Sequence, residues 1–552
     1  MFFLCYNLTM NKFFLLVLTC ICLVIYAGYL HNGFVFDDKV LVEANPLIKS
    51  GQLLPNVFKS GIYDYWTGAQ PYDRMYRPLQ MLSYYLDYNL WGLKPAGFRF
   101  SNILLHLLNS ILVFYLLNLI FNHRLLAASS SILFLVHPVH ISSVAYISAR
   151  GDLLSAFFIL ACCVLFLKFL ESKNYLLYFF SIFAAAFALL SRENALLVII
   201  FLILISSFSS KGAARFKYLY AFFVLSAAYL VVRCIIFGPS GLAAHMNYIN
   251  AALLPINFLN IICNYILLLF WPVNLRMFHS AALIGQLNPL VMFLSILGII
   301  LILAVILKWK KIKQLPAVFI FGSAWFLLGI IPVYFYFNAY PALERALMAE
   351  SWLYLPSIGF CVIFAYLCLL NKKGKLIICV CAAILGGLVV GNRVYWRNDV
   401  TFYERALRFL PPDSIILRNL ATAYIDSGDL KKAYTAIKKL EKYYADTPVV
   451  NVAWGQYYLA CGQAKEAIGY YQLILSRSFF SNYSMSLCYA KLGDFNKAIE
   501  FSQLSYSQNH FFKENVMQLA VLYNKTGQAE QAKRYLLLVK QLDPKGEYYL
   551  LK

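Results

Sequence analysis

Residues 13–40 read FFLLVLTCICLVIYAGYLHNGFVFDDKV, and the change of character at residue 31 decides the fold class. Residues 13–30 are apolar and long enough to cross a bilayer, so the polar stretch after them emerges at a membrane surface. Asp37 and Asp38 stand in that stretch among Phe34, Val35 and Phe36. An aspartate desolvated by such neighbours becomes a better proton acceptor and can take a proton from a hydroxyl. The same residues also fit a solvated turn that only ends the first helix, and an aspartate pair by itself does not choose between the two.

The whole chain agrees with a membrane protein. Of its 552 residues 61% are hydrophobic, 17% aromatic and only 13% charged, and the mean hydropathy of +0.67 lies outside the range of soluble proteins of this size. Further apolar runs fall at about 102–121, 125–141, 153–170, 175–190, 194–208, 217–237, 255–272, 288–307, 316–335, 352–370 and 376–392. Lys12 ahead of the first run resembles a secretion signal. No small-residue cleavage site closes the run, so a retained helix is expected. The net charge of +22 is spread over short loops and the C-terminal segment. That pattern fits topology and attraction to anionic lipid headgroups, with no nucleic acid implied. The thirteen cysteines mostly lie inside apolar runs, with neither zinc spacing nor a disulfide framework.

Loop charge sets orientation. The basic loops 211–217, 308–313 and 372–375 are expected in the cytoplasm. The Asp37 and Asp38 loop, the segment 137–152, the turn 191–194 and the segment around 336–350 then share the opposite face. Twelve runs conflict with that assignment. The run 255–272, interrupted by Asn257, Asn260 and Asn264, is the expected false or re-entrant one, which leaves about eleven crossings. Residues 31–101 form a first outer loop, too charged to cross and rich enough in Tyr and Trp to lie in the interface.

Beyond residue 393 the chain becomes soluble and periodic. Gly428, Gly462, Gly493 and Gly527 recur at near-constant spacing. A tyrosine stands four residues before each (Tyr424, Tyr458, Tyr489, Tyr523) and an alanine five after (Ala433, Ala467, Ala498, Ala532). This is the phase of a tetratricopeptide repeat, with the aromatic on the first helix, glycine at the turn and a small residue on the second helix.

Several polar groups gather on the outer face. His137 and His140 have i,i+3 spacing, but Pro138 between them and the lack of a matching carboxylate argue against zinc and for hydrogen bonding at a pocket rim. Arg150 with Asp152, and Arg192 with Glu193, stand at helix ends near the bilayer boundary. They read equally as paired structural ions and as functional groups. Arg77, Arg150, Arg192 and Arg345 are the planar guanidinium forks suited to phosphate oxygens.

The ordered set of motifs resembles the transmembrane and tetratricopeptide-repeat O-mannosyltransferase family, within the multispanning GT-C type glycosyltransferases that use lipid-phosphate sugars. The matching pieces are FVFDDKVLVEANPLI (34–48), YRPLQMLSYYLDYNLWGLKPAGFRFSNILLHLLNSILV (76–113), LFLVHPVHISSVAYISARGDLL (133–154), LLSRENALLVI (189–199), AESWLYLPSIGF (349–360) and the repeats. The resemblance implies a cavity on the non-cytoplasmic side where donor and acceptor meet. It implies Asp37 as general base, with Asp38 orienting the acceptor or assisting. Arg77, His137, His140, Arg150, Asp152, Arg192, Glu193 and Glu350 fall on its other motifs, the arginines toward phosphate and the histidines toward pocket hydrogen bonds. The family's Ala-Glu-Arg reads Ala349-Glu350-Ser351 here, with Arg345 upstream as a substitute, and a Lys-Glu pair reads Arg192-Glu193.

The reading is therefore an all-α chain: a GT-C-like polytopic membrane helix bundle over 1–392, then a tetratricopeptide α-solenoid over 393–552 on the periplasmic or lumenal side. Its expected substrates are a polyprenyl-phosphate hexose, mannose by the resemblance, and a polypeptide or glycan hydroxyl. Neither metal nor cofactor is expected. The membrane is a bacterial plasma membrane or the endoplasmic reticulum. The competing reading is a non-enzymatic, membrane-anchored repeat scaffold. A transporter is disfavoured because the polar residues cluster at one set of helix ends.

Overall fold

The computed structural model describes residues 12–67, 75–208, 217–238, 254–282, 316–336, 345–409 and 413–546. The basic loops 211–216 and 308–313 and the apolar run 288–307 lie outside these residues. The chain divides into two compact units, one of Met1–Asn32 with Pro95–Val394, the other of Gly33–Lys94 with Tyr395–Lys552. The first outer loop thus belongs to the same unit as the repeats.

The first unit is a helical membrane unit. Among the described residues, five helices are long and apolar enough to cross a bilayer: Lys12–His31, Pro95–Phe121, Ile147–Ser172, Lys217–Phe237 and Gly374–Trp396. Shorter apolar helices cover Tyr175–Ser191, Glu193–Ser207, Phe258–Phe270, Ala317–Val333 and Ser357–Leu369. Tyr175–Ser191 shows how such a helix is built. Phe179, Phe180, Phe183 and Phe187 are exposed along one side, which suits acyl chains and not water. The other side buries Ser181, Ala184, Ala185 and Ala188 against the helix Arg150–Ser172, where Ser181 Oγ donates to the Cys162 carbonyl at 3.2 Å. Small side chains let the two backbones approach, which is how helices bind when lipid removes the hydrophobic drive. The same device joins Ala317–Tyr336 to Ser357–Leu369. A Cβ on Gly359 would stand 2.2 Å from the Gly322 carbonyl oxygen, so only glycine allows that crossing.

The run 125–141 is not one straight helix. Arg124–Val136 and Pro138–Val144 meet at 51°. Pro138 has no N–H to offer the carbonyl four residues back, and the helix breaks there. That carbonyl belongs to Phe134, and His140 Nδ1 donates to it at 2.8 Å. The histidine side chain supplies the hydrogen bond that proline withholds.

One element is absent from an all-helical reading. Phe278–Ala282 pairs antiparallel with Arg345–Ala349, with Phe278 opposite Ala349 and Ala282 opposite Arg345.

The second unit is a solenoid with a strap. Four helix pairs follow one another: Ser414–Asp426 with Leu430–Tyr444, Pro448–Ala460 with Ala464–Gln472, Phe479–Lys491 with Phe495–Gln508, and Lys513–Lys525 with Ala529–Leu542. The four turn glycines have φ between +75° and +82°. In each repeat the residue after the glycine donates to the carbonyl of the patterned tyrosine, as Asp429 N to Tyr424 O and Gln528 N to Tyr523 O, both at 2.9 Å. This is the closure that left-handed backbone at the helix end permits. The patterned alanines are buried where the second helix crosses the first. Three tyrosines also stack on an aromatic eight residues past the glycine: Tyr458 on Tyr470, Tyr489 on Phe501 and Tyr523 on Tyr535, within 12° of parallel.

Among the described residues of 33–94, Lys39 reaches Asp426 in the first repeat at 3.9 Å and others reach the last repeat. Leu53 packs on the Val516, Leu519 and Val539 cluster. Asp543 receives Lys513 at 2.9 Å, Lys49 at 3.8 Å and the Tyr88 hydroxyl at 3.4 Å. Burial, then the neighbouring Lys513 charge, lowers the proton affinity of Lys49 below that of an ordinary lysine, and Asp543 opposes the shift.

Candidate functional site

The acidic turn is built by the second unit alone. Phe36 has φ of 52°, a left-handed conformation that costs a residue with a side chain about 1 kcal/mol. Its surroundings hold it there. The Phe36 N–H donates to Asp399 Oδ1 at 2.9 Å, and its ring lies 6.0 Å from Phe402 and 6.2 Å from Tyr403. The bend aims the two aspartates differently. Asp38 is fully buried and takes the Val35 N–H at 3.4 Å, closing the turn. Asp37 is half-buried and receives the Tyr63 hydroxyl at 2.9 Å. Tyr65 donates to the Val40 carbonyl, and burial followed by the Asp37 charge holds its phenol well above the usual range. Arg77 is buried at the start of the helix Pro78–Trp91 in this same unit.

The other candidates lie in the first unit, in a belt of polar groups. Arg150, 1% exposed, donates from Nε to Asn102 Oδ1 at 2.7 Å and from Nη2 to the Phe98 carbonyl at 2.6 Å. Much of its fork therefore serves the fold. Asp152 sits in the first turn of Arg150–Ser172 and Arg192 caps the C-terminal end of Tyr175–Ser191. Each charge suits its helix dipole, and the two form a buried ion pair. Arg192 Nε has no hydrogen-bond partner among the described residues. Glu193 faces Arg233 at 3.7 Å.

The two histidines are inside, with their ring nitrogens engaged. Nε2 of His137 lies 3.0 Å from the Leu269 carbonyl, which can only accept, so that nitrogen carries the proton and Nδ1 accepts from Val139 N at 3.3 Å. His140 meets the Phe134 carbonyl through Nδ1 and the Ser357 hydroxyl through Nε2, both at 2.8 Å. Glu350, 1% exposed, follows the strand Arg345–Ala349. Its Oε1 accepts the Arg276 N–H at 2.7 Å and stands 2.7 Å from His279 Nε2.

A tetratricopeptide-repeat family model matches residues 514–545. The chain is 28% identical over 449 residues to the protein O-mannosyl-transferase F38B6.6 of Caenorhabditis elegans, covering 78% of this chain and 63% of that protein. It is 25% identical over 496 residues to human protein O-mannosyl-transferase TMTC4, covering 75% and 64%. With human protein O-mannosyl-transferase TMTC1 it shares 32% identity over 155 residues, 28% of this chain and 17% of the other. The chain is a relative of the transmembrane and tetratricopeptide-repeat O-mannosyltransferases. It spans less than two thirds of the length of the Caenorhabditis elegans protein and of human TMTC4.

Beside the motifs quoted from the sequence stand residues that motif reading passes over. On Pro95–Phe121 the buried Arg99, Asn102, His106 and Asn109 recur at helical spacing along one face. That period is legible in the sequence and marks polar groups turned toward the bundle interior. Arg99 Nε donates to the Ala145 carbonyl at 2.9 Å, and Asn102 Nδ2 lies 3.3 Å from the carbonyls of Val144 and Tyr146. The stripe thus satisfies carbonyls that stand where the short helix Ile141–Val144 ends. Further along, His106 Nε2 donates to the Leu135 carbonyl at 3.0 Å, so its Nδ1 accepts from the Tyr354 hydroxyl at 2.7 Å. Arg233, His279, Tyr63 and Asp399 carry no such periodic signal. Their partners are distant in sequence, and only the fold discloses them.

Proposed function

We propose that this chain is a membrane glycosyltransferase that transfers a hexose, mannose by the names of its relatives, from a polyprenyl-phosphate donor to a hydroxyl of a polypeptide or glycan on the non-cytoplasmic face. The observation that carries the reading is similarity to protein O-mannosyl-transferases over 78% of the chain. In the proposed reaction the acceptor hydroxyl gives its proton to Asp37 as its oxygen attacks the anomeric carbon. The polyprenyl phosphate departs with the electron pair of the broken bond, and guanidinium groups offset its charge. Asp37 suits the base because it is the less buried of the pair, while Asp38 is committed to closing the turn. Arg77, Arg192 and Arg150 are the proposed phosphate partners, with Arg192 the better placed of the last two because its Nε is uncommitted.

The repeat array is proposed to recruit the polypeptide. Its first helices line an open groove of about 650 Å³, with Ile425, Leu459, Phe480, Leu487 and Val521 along it and Lys491, Lys525 and Asp426 among its polar groups. An extended segment with alternating apolar and charged side chains fits such a surface.

A scaffold reading draws on the commitment of Arg150, Asp152 and Arg192 to internal partners. Donor affinity separates the two. Arg150→Ala and Arg192→Ala should each raise the apparent KM for a polyprenyl-phosphate mannose, and an unchanged KM in both would remove the phosphate assignment. Loss of cellular function on deletion of 413–546, with none in Asp37→Asn, would favour the scaffold.

A further inference from the structure

We infer that Asp399 is a positioning residue that holds the acidic turn and ties it to the groove of the repeats. The inference rests on the proposed transfer reaction only for its catalytic consequence. Asp399 opens the helix Asp399–Leu407, but the capping is done by its neighbour: the Asn398 side chain accepts the Thr401 N–H at 3.0 Å, and Thr401 Oγ1 accepts the Asn398 N–H at 3.3 Å. The Asp399 carboxylate is thereby left for other partners, and the two it takes among the described residues lie on the turn. Oδ1 accepts the Phe36 N–H at 2.9 Å and Oδ2 holds Lys39 Nζ at 2.6 Å. Phe36 and Lys39 immediately flank Asp37 and Asp38. One buried carboxylate therefore grips the turn on both sides of the acidic pair.

The grip matters because the turn is not a relaxed one. Left-handed backbone at a phenylalanine persists only where its surroundings over-determine it. Here the surroundings are the Asp399 carboxylate and the rings of Phe402 and Tyr403, all on the helix Asp399–Leu407. Without the carboxylate, the Phe36 N–H loses its acceptor, the left-handed backbone loses that support, and Asp37 moves with it. Lys39 also extends to Asp426 at 3.9 Å, the last residue of the helix Ser414–Asp426 and part of the groove wall. A group that binds at that end of the groove competes for Lys39, and the competition reaches the turn through two contacts.

Hydrogen exchange over residues 33–44 of the full-length protein, read with transfer kinetics from polyprenyl-phosphate mannose, tests this. Asp399→Ala should speed exchange over 34–40 at least tenfold and leave 414–542 unchanged. It should also lower kcat at least tenfold with the donor KM within twofold. Asp399→Asn keeps an acceptor for the Phe36 N–H and should hold kcat and that exchange within threefold of the native chain. Unchanged exchange in Asp399→Ala overturns the inference, and so does faster exchange with unchanged kcat. If Asp399→Ala also loosens 414–542, Asp399→Glu decides: it keeps the charge but displaces the oxygens, and a native kcat in it overturns the inference. If the native chain transfers nothing, the proposed function fails, yet the exchange arm still decides whether Asp399 holds the turn.

Discussion

The Tyr63 hydroxyl donates to Asp37 Oδ2 at 2.9 Å, while the adjacent Asp38 turns inward to the Val35 N–H. Two carboxylates one residue apart thus have different duties, one at a surface and one inside. Asp38→Ala should cost about 2 kcal/mol, the scale of a hydrogen bond to a charged group, whereas Asp37→Asn should leave stability unchanged. Thermal unfolding of the two variants in detergent checks this, and equal melting shifts would contradict it.

The repeat turns make a second prediction. A Cβ added at Gly428, Gly462, Gly493 or Gly527 would meet nothing within 4 Å, so the cost of alanine there is backbone conformation alone, about 1 kcal/mol at each. Sites this far apart should add. Denaturation of single and double variants measures it, and a cost-free alanine would contradict the left-handed turn.

How much of this was legible beforehand follows physical range. The glycine, tyrosine and alanine phase gave the solenoid because each repeat is a local unit with local constraints. The ring eight residues past the glycine was missed because Ala436 breaks that pattern in the first repeat. Pro138 was read only as an argument against zinc within a single run 125–141, and both the break it makes and the duty of His140 at the Phe134 carbonyl needed coordinates. Arg150, Asp152, Arg192 and Glu193 were visible as charges out of place, without their partners. Arg233 and Asp399 stayed hidden because a contact between residues far apart in sequence leaves no period behind.

The buried pair of Asp152 and Arg192 should behave as a unit. Removing either partner leaves an uncompensated charge inside the protein, a loss of about 3–5 kcal/mol. The variant lacking both should lose much less than the sum. A double-mutant cycle in melting temperature reads the coupling, and simple additivity would contradict the pairing.

Lys39 predicts an alkaline limit for the turn. Burial lowers its proton affinity, but the Asp399 hydrogen bond and the charges of Asp399, Asp426 and Glu43 outweigh burial and raise its pKa above 10.5. A lysine whose pKa is raised on folding stabilises fully below its unfolded value, and the contribution is lost as pH climbs through the folded value. Protection of 34–40, measured as exchange relative to its intrinsic rate at each pH, should therefore fall only above about pH 10.5, and Lys39→Met should abolish that step. The same pH dependence in Lys39→Met and the native chain would contradict the assignment.

The central claim is a sugar transfer that uses Asp37. Purified full-length protein, incubated with radiolabelled polyprenyl-phosphate mannose and an acceptor polypeptide, should put label on the polypeptide. Asp37→Asn, folded and inserted normally, should put on at least a hundredfold less. Native labelling by Asp37→Asn would contradict the account.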